Sequence, residues 1–479
     1  MNLFVLPWLE LSVLIPLIGA VCLARMRDEI AASWWALVIT GATLVCTLML
    51  MGAYWSGTSP SGESQFGFFP AILGYQPLAI DGLSAPLLPL VALLHFLTVL
   101  ATARTKMVRF SFAWMLLSES IRLALFACME PWLLIGLLAL ISVPPYLELR
   151  KRGRPTRVYV IHMVLFVSLM VGGWACATSG EPGLSDVAAV LLLAAILIRC
   201  GTVPVHLWVA DLVENCSFGT GLLFIAPIAG VYAAVRLVIP FAPDWTLQVI
   251  SIFSLITAVY AAGLAVVQQN ARRFFAYVFL SHGSLVLVGL ELHTVISLTG
   301  ALFLWISVAL SLAGLGLTLR AVEARFGRLA LNRYHGLYEH SPALAVCFLL
   351  TGLGSVGFPG TLGYVAAELL VDGAIEVNIY VGIVVALASA LNGIAVIRVY
   401  FLLFTGSRHV SAVSLGITPR ERFAVLTLAG LILGGGLYPQ PGVQSRHLAA
   451  ESLLRQRAIA MPAEAQPHAD ASEPHPDGQ

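Results

Sequence analysis

The ionisable side chains Glu119, Arg199, His206, Asp211, His282 and Glu368 stand in or beside long apolar runs of this 479-residue chain. An ionisable group held at membrane depth costs at least a few kcal/mol unless it is paired or hydrated, so such residues mark ion routes, ion pairs or snorkelling helix ends. Arg199 is the most informative. A guanidinium, with a pKa above roughly 12, can fix charge, order water or hold a carboxylate, but it cannot release a proton in turnover. Glu368 is its candidate partner. His206 and His282 read either as members of a route or as satisfied core histidines. Asp211, with Glu214, falls where its run ends, and is open to being solvated. Glu119 and Arg122 lie three apart on one helix face and read first as a helix-internal ion pair; an inward-facing Glu119 would instead supply a titratable carboxylate. Arg236 and Arg398 are expected at helix ends. The chain has only two lysines, Lys106 and Lys151, and neither lies in an apolar run.

The elements that must position these groups are broken. Ile198-Arg199-Cys200-Gly201-Thr202-Val203-Pro204-Val205-His206-Leu207-Trp208 carries Pro204 inside one apolar segment, and Gly357-Phe358-Pro359-Gly360-Thr361-Leu362-Gly363-Tyr364 carries Gly357, Pro359 and Gly360 inside another. Proline removes a backbone donor and glycine loosens the helix. The freed polar groups must then be met by protein or water, so such breaks line cavities. Two breaks at corresponding places predict an inverted-repeat transporter with its ion site at the repeat interface.

Composition sets the wider class. The chain is 59% hydrophobic and 11% charged, with a mean hydropathy of +0.90. Apolar runs of about 18 residues or more, each able to span a bilayer as a helix, recur along its length. The expected fold is an all-α polytopic membrane protein of about 14 transmembrane helices, at 2–24, 32–55, 83–103, 110–128, 131–149, 158–177, 185–208, 218–240, 246–268, 274–292, 294–320, 341–371, 378–404 and 422–438, with two inverted five-helix repeats that each contain one broken helix. The regions are N-terminal helices (1–109), a first repeat (110–240), a second repeat (246–404), a last helix (405–440) and a polar, disordered tail (441–479), with room for a short amphipathic helix between Ala449 and Ala460. The first segment lacks a basic start and a small-residue cleavage site, so it reads as a retained helix. The seven cysteines are too far apart for the usual zinc or iron–sulfur spacings and read as packing residues. No haem motif or glycine-rich nucleotide loop occurs. No cofactor is expected in this chain, no nucleic acid is a partner, and any redox chemistry belongs to another subunit.

The charges are sorted by side. Arg25 and Arg27, Arg104 to Arg109, Arg150 to Arg157, Arg272 and Arg273, Arg320 to Arg333, and Arg408 to Arg422 fall in alternate loops, whereas the opposite loops hold Glu63, Asp81, Glu130, Glu181 and Asp244. The positive-inside rule makes the basic face cytoplasmic and puts both termini on the other side, in a bacterial plasma membrane. His468 and His475, in the tail, could bind metal but read as part of a disordered end.

Pro204-Val-His206-Leu-Trp208-Val-Ala-Asp211 resembles the Pro-x-His-x-Trp-x-x-Asp motif of the antiporter-like membrane subunits of respiratory Complex I and of Mrp antiporters. Asn270-Ala-Arg272-Arg273-Phe-Phe-Ala276-Tyr277 with Ser281-His282-Gly283, the Gly357–Tyr364 stretch, Ile80-Asp81-Gly82-Leu83-Ser84, Pro419-Arg420-Glu421 and Gly436-Leu-Tyr438-Pro439 are similar to further motifs of that family, in order. The likeness is closest to its fourteen-helix middle subunits. It implies proton movement along a midplane chain: a glutamate in segment five, lysines in segments seven and eight, a histidine in segment eleven, and a lysine or glutamate in segment twelve. Here Ala139, Arg199, Ile228 and Val308 occupy the first four positions. At the last, Ala367 takes the acidic place and Glu368 follows one residue later, an offset that a longer loop would cancel. The expected function is therefore a membrane subunit of a Complex I-like assembly conducting protons along a partly degenerate path, with other membrane subunits as partners. The alternatives are a non-conducting scaffold and the membrane partner of an inorganic-carbon uptake system.

Overall fold

The structure, a computed structural model, describes residues 7–57, 76–102, 110–179, 184–226, 228–292, 294–406 and 416–460. Lys106 with Arg104 and Arg109, Glu63, Glu181, Arg408, and residues 461–479 with His468 and His475 lie outside them. The described residues are helical, with two isolated β-bridges and no strand. In chain order the helices are α1 (Trp8–Ala24), α2 (Glu29–Trp55), α3 (Leu87–Leu100), α4 (Phe112–Ala127), α5 (Pro131–Leu140), α6 (Val143–Lys151), α7 (Arg157–Thr178), α8 (Leu184–Cys200), α9 (Leu207–Asn215) and α10 (Phe218–Ile225). There follow α11 (Ala229–Leu237), α12 (Asp244–Val267), α13 (Ala271–Glu291), α14 (Val295–Phe326), α15 (Pro342–Ser355), α16 (Leu362–Val377), α17 (Ile379–Phe404), α18 (Pro419–Leu437) and α19 (Gln440–Ala460).

Burial follows from how apolar each helix is around its circumference. In α13 every residue but Arg273 is buried, and α14 is buried along most of its length, so these two form the bundle's centre. α2, α7 and α17 keep large apolar side chains such as Trp34, Ile161, Val164 and Ile383 exposed. Several described helices are long and apolar enough to cross a bilayer by length and composition. An exposed apolar girdle around a buried core is what a multi-pass membrane protein presents to lipid.

Close packing without water to drive it needs small residues. A Cβ on Gly300 of α14 would stand 2.6 Å from Leu370 N, and one on Gly373 of α16 would stand 2.5 Å from Ser297 N. The second broken segment is thus seated directly on α14, backbone against side chain-free backbone. Gly300→Leu is expected to lower stability by about 3 kcal/mol through overpacking, whereas Gly393→Leu, where nothing lies within 4 Å, leaves thermal unfolding in detergent nearly unchanged.

Two expectations from the sequence are not met. Breaks are not confined to segments seven and twelve. The run 131–149 divides between α5 and α6, ahead of Pro144 and Pro145, and the run 218–240 divides between α10 and α11, where Ile228 adopts a left-handed conformation (φ 45°). The region after residue 440 is also not a free tail as far as it is described. α19 bends 78° from α18, packs on α14, and buries Arg446 and Arg457. Arg446 donates to Gly82 O (2.6 Å) and Leu83 O (3.2 Å); Arg457 donates to Ile239 O, Ala242 O (2.9 Å) and Asp244 (2.7 Å). Its arginines satisfy carbonyls freed at helix ends, which fixes it across the face opposite the basic one. Arg236 likewise does not snorkel: it pairs with Asp81 at 2.7 Å.

Candidate functional site: a buried charge cluster beside the broken helices

Each break is closed by side chains from neighbouring helices. Between α8 and α9, Gly201 takes a positive φ (73°), and its Cβ position lies 2.7 Å from Val209 and 2.9 Å from Leu280, so both conformation and space call for glycine. Val203 N–H donates to Thr257 of α12 (2.9 Å), and the Trp208 indole donates to Ile198 O (2.8 Å). Between α15 and α16, the turn at Gly357 and Gly360 (φ 81° and 83°) leads into Thr361, whose hydroxyl accepts from Tyr364 N–H (3.3 Å) as the cap of α16. Thr257→Val strands the Val203 amide and is expected to cost about 2 kcal/mol, read as a fall in the unfolding midpoint.

One helix links the two breaks. On α13, His282 places Nδ1 2.8 Å from Val278 O and Nε2 2.8 Å from Ser355 O, the last residue of α15. Its neighbour Ser281 donates to Ala258 O (2.8 Å) and accepts from Asn392 (2.7 Å), tying α12, α13 and α17 together. The next residue, Gly283, lines a water-sized void of about 10 Å³ bounded by Arg199, Trp208, Ile228 and Phe279. His206, at the end of the first break, is buried with neither ring nitrogen hydrogen-bonded, and packs edge-on against Tyr260 (5.2 Å).

Arg199 is 5% exposed and held by rings. Its Cζ lies 4.6 Å from the centre of Phe224 and 5.8 Å from that of Trp208, and Tyr159 packs on both rings. Such stacking stabilises a desolvated guanidinium by roughly 2 kcal/mol. Gly230 makes the room, since a Cβ there would meet Cys200 Sγ at 2.6 Å and Arg199 Cγ at 3.2 Å. The charge nearest Arg199 is not Glu368. A charge that does sense Arg199 is Arg122 of α4, with Glu119 one turn away on the same helix. His95 of α3 also senses Arg122. Glu119 and Arg122 are buried, and neither Glu119 oxygen, nor Nε and Nη1 of Arg122, nor Nε and Nη2 of Arg199 has a hydrogen-bond partner. The expected Glu119–Arg122 ion pair is thus not formed.

A cavity of about 620 Å³ leads from the basic face, past Lys151, Arg152 and Arg154, to Ser118 and Arg122. Arg122 stands ten residues into α4, about 15 Å along the helix and hence near mid-bilayer depth.

Glu368 is placed differently from its expected role. α16 turns Ala366, Leu370, Gly373 and Ala374 inward and leaves Glu368 exposed, in a stripe with Asp372 and Glu376. The one-residue offset is not absorbed by the preceding loop, so the expected Arg199–Glu368 pair does not form. Asp211 lies in the middle of α9, accepting from Asn215 at its basic end (3.0 Å). Glu214, expected in solvent, pairs with Arg273 at 2.5 Å. Residues that the sequence reading missed are His95 and Glu291. Glu291 ends α13 near the opposite face, buried, with both oxygens lacking a hydrogen-bond partner and Arg457 the cation that it senses. The available signal was a lone carboxylate at the end of the apolar run 274–292.

Broken helices packed around a buried bundle, beside a cavity and buried ionisable groups, are an arrangement found in ion-translocating membrane proteins. Residues 175–392 match the family described as NADH:quinone oxidoreductase/Mrp antiporter, transmembrane. A chain 4 of NAD(P)H-quinone oxidoreductase from Nostoc sp. is 27% identical over 92% of this chain and 90% of its own length, and one from Trichormus variabilis matches to the same extent. Among solved structures, a chain of respiratory complex I from Thermus thermophilus superposes with a TM-score of 0.81 at 22% identity, covering 94% of this chain and 99% of that one. A chain of the Mrp complex from Dietzia sp. gives 0.81 at 20%, covering 96% and 100%. Over residues 175–392 the chain is thus similar to the antiporter-like membrane subunits of the Complex I and Mrp kind, and over most of its length it has their fold.

Proposed function

We propose that this chain conducts protons as one membrane subunit of a multi-subunit, Complex I-like assembly whose driving reaction is carried out by partner subunits. The observation that carries this reading is the unpartnered cluster of Glu119, Arg122 and Arg199, of which Arg122 lines the basic-face cavity. Protons enter by that cavity and exchange with Glu119. Arg199 acts as a fixed charge where the related subunits have a lysine; His206, His282 and the void beside Gly283 continue the route between the breaks, and Glu291 leads to the opposite face. Fourteen spans in two inverted repeats accommodate the helices once α5 with α6, α8 with α9, α10 with α11, and α15 with α16 are each counted as one span and α19 is left out as a helix lying across one face. The basic face is then cytoplasmic, in a bacterial plasma membrane, with both termini opposite. No cofactor is assigned to the chain.

Partner subunits have a natural seat. An acidic side chain facing lipid near mid-depth costs about 3 kcal/mol, so the exposed Glu368–Asp372–Glu376 stripe favours cover by a neighbouring subunit. The test is proton flux into proteoliposomes followed by a pH-sensitive dye. Wild type is expected to conduct, Arg199→Lys to retain conduction with a changed pH profile, and Glu368→Gln to conduct as wild type. Equal inertness of all three would favour the scaffold role instead.

A further inference from the structure

We propose that the basic-face cavity is a binding site for a small monovalent inorganic anion, held at its floor by Arg122. Anion binding there does not depend on proton conduction. Arg122 is 2% exposed, lines the cavity, and leaves Nε and Nη1 without acceptors. A buried guanidinium presents several donors in a fixed fork and is stabilised only when acceptors meet them. The neighbouring charges do not supply them: Arg199 adds a second cation, and Glu119 accepts from neither. Two guanidiniums stand against a single carboxyl group, so the cluster carries at least one net positive charge, which a monovalent anion offsets.

The cavity wall suits such a guest. Ser118, one turn before Arg122, offers a hydroxyl from the same helix face. At the mouth stand Lys151, Arg152 and Arg154, against Glu29 and Glu148. Arg152 is already committed to Glu148 at 2.8 Å, and Glu148 also accepts from Ser217 N–H (2.6 Å) and Thr220, so that carboxylate is saturated rather than aimed at the floor. An excess of cations at the mouth of a low-dielectric cleft raises the local anion concentration. A spherical halide and a planar oxyanion both fit a guanidinium fork, the planar one bidentately. The headgroup phosphate of an anionic lipid carries the same sign of charge on a bulkier group and is a separate arm of the test.

The full chain, purified in a neutral detergent, is titrated at constant ionic strength by replacing gluconate with chloride or nitrate while tryptophan fluorescence follows thermal unfolding. A saturable rise in the midpoint, half-complete in the millimolar range, is expected with both anions, and nitrate is expected to act at several-fold lower concentration. Arg122→Gln is expected to abolish the rise. Arg154→Gln, which removes only a mouth charge, is expected to move half-saturation several-fold higher. If Arg122→Gln does not fold, bromide located by anomalous scattering in crystals of the wild-type chain tests the same site through a peak beside the Arg122 side chain. A non-saturable effect, a response that Arg122→Gln leaves intact, an absent bromide peak, or stabilisation by phosphatidylglycerol alone would each overturn the site. Each of these outcomes is read from anion binding and not from flux, so failure here is distinct from failure of the conduction reading.

Discussion

Glu119→Gln reduces proton flux through proteoliposomes on the order of ten-fold or more, while Glu119→Asp keeps a substantial part of it. The cluster that Arg122 joins to the cavity contains two guanidiniums that hold their protons throughout. Glu119 is the carboxyl group set among them, one turn from Arg122, buried and without a hydrogen-bond partner. It can therefore take a proton that arrives past Arg122 and yield it inward, and the nearby fixed charges of Arg122 and Arg199, with which it forms no ion pair, give that exchange a direction. Glutamine keeps the shape and removes the proton site, so fold and flux separate cleanly: thermal unfolding stays close to wild type while conduction falls. Flux that is unchanged in Glu119→Gln would remove this residue from the route. Glu119 also offers an account of how a chain with Ala139 in segment five could still conduct, since its carboxylate comes from α4 instead.

Asp81→Asn lowers stability by about 3 kcal/mol and flattens the chain's response to acid. Arg236 reaches Asp81 at 2.7 Å, stacks over Tyr232 at 5.1 Å, and the Tyr232 hydroxyl donates to Phe126 O at 2.9 Å. The 76–86 loop, α11 and α4 are thereby clasped together on the face opposite the basic one, with Arg446 of α19 holding Gly82 and Leu83 beside them. Removing one charge of a buried pair leaves the other uncompensated, a loss of roughly 3–5 kcal/mol; the lower end applies because the Asp81 side chain remains 31% exposed. Burial pulls the Asp81 carboxyl up, but the Arg236 guanidinium and the Ser84 hydrogen bonds outweigh it and hold it below the ordinary range. A carboxyl held low in the folded state contributes stability that is complete above its unfolded value near about pH 4 and is lost as pH falls through the folded value. Unfolding midpoints measured from pH 7 downward should converge for wild type and variant below that range. Midpoints that stay parallel would mean that Asp81 is not the group responsible.

Much of the fold was legible from local pattern. Pro204 and the Gly357–Gly360 turn announced breaks because proline lacks a donor and glycine accepts positive φ wherever they stand. Pro144 and Pro145 carried the same kind of signal for one further interruption, but lay in a run apolar enough to pass for a continuous helix. The 440–460 helix was less legible: its mixed polar composition reads as tail, and its arginines become structural only because freed carbonyls at residues 82, 83, 239 and 242 lie within reach.

Residue type and order along one chain were enough to indicate a membrane-spanning helical protein whose motifs resemble those of an ion-translocating family. They also placed breaks at depth in two of its spans, and a guanidinium instead of a deprotonatable amine at residue 199. The company that Arg199 keeps was set only by the packing of helices in three dimensions. A helix residue turns by about 100° for each position, so the single-residue offset in α16 carries Glu368 to the outer surface, while the rotation of α4 delivers Arg122 and Glu119 to the interior. Which side chains meet across helices depends on those rotations and on close approaches such as that of Gly230 to Arg199, and neither is written in the spacing of any one segment.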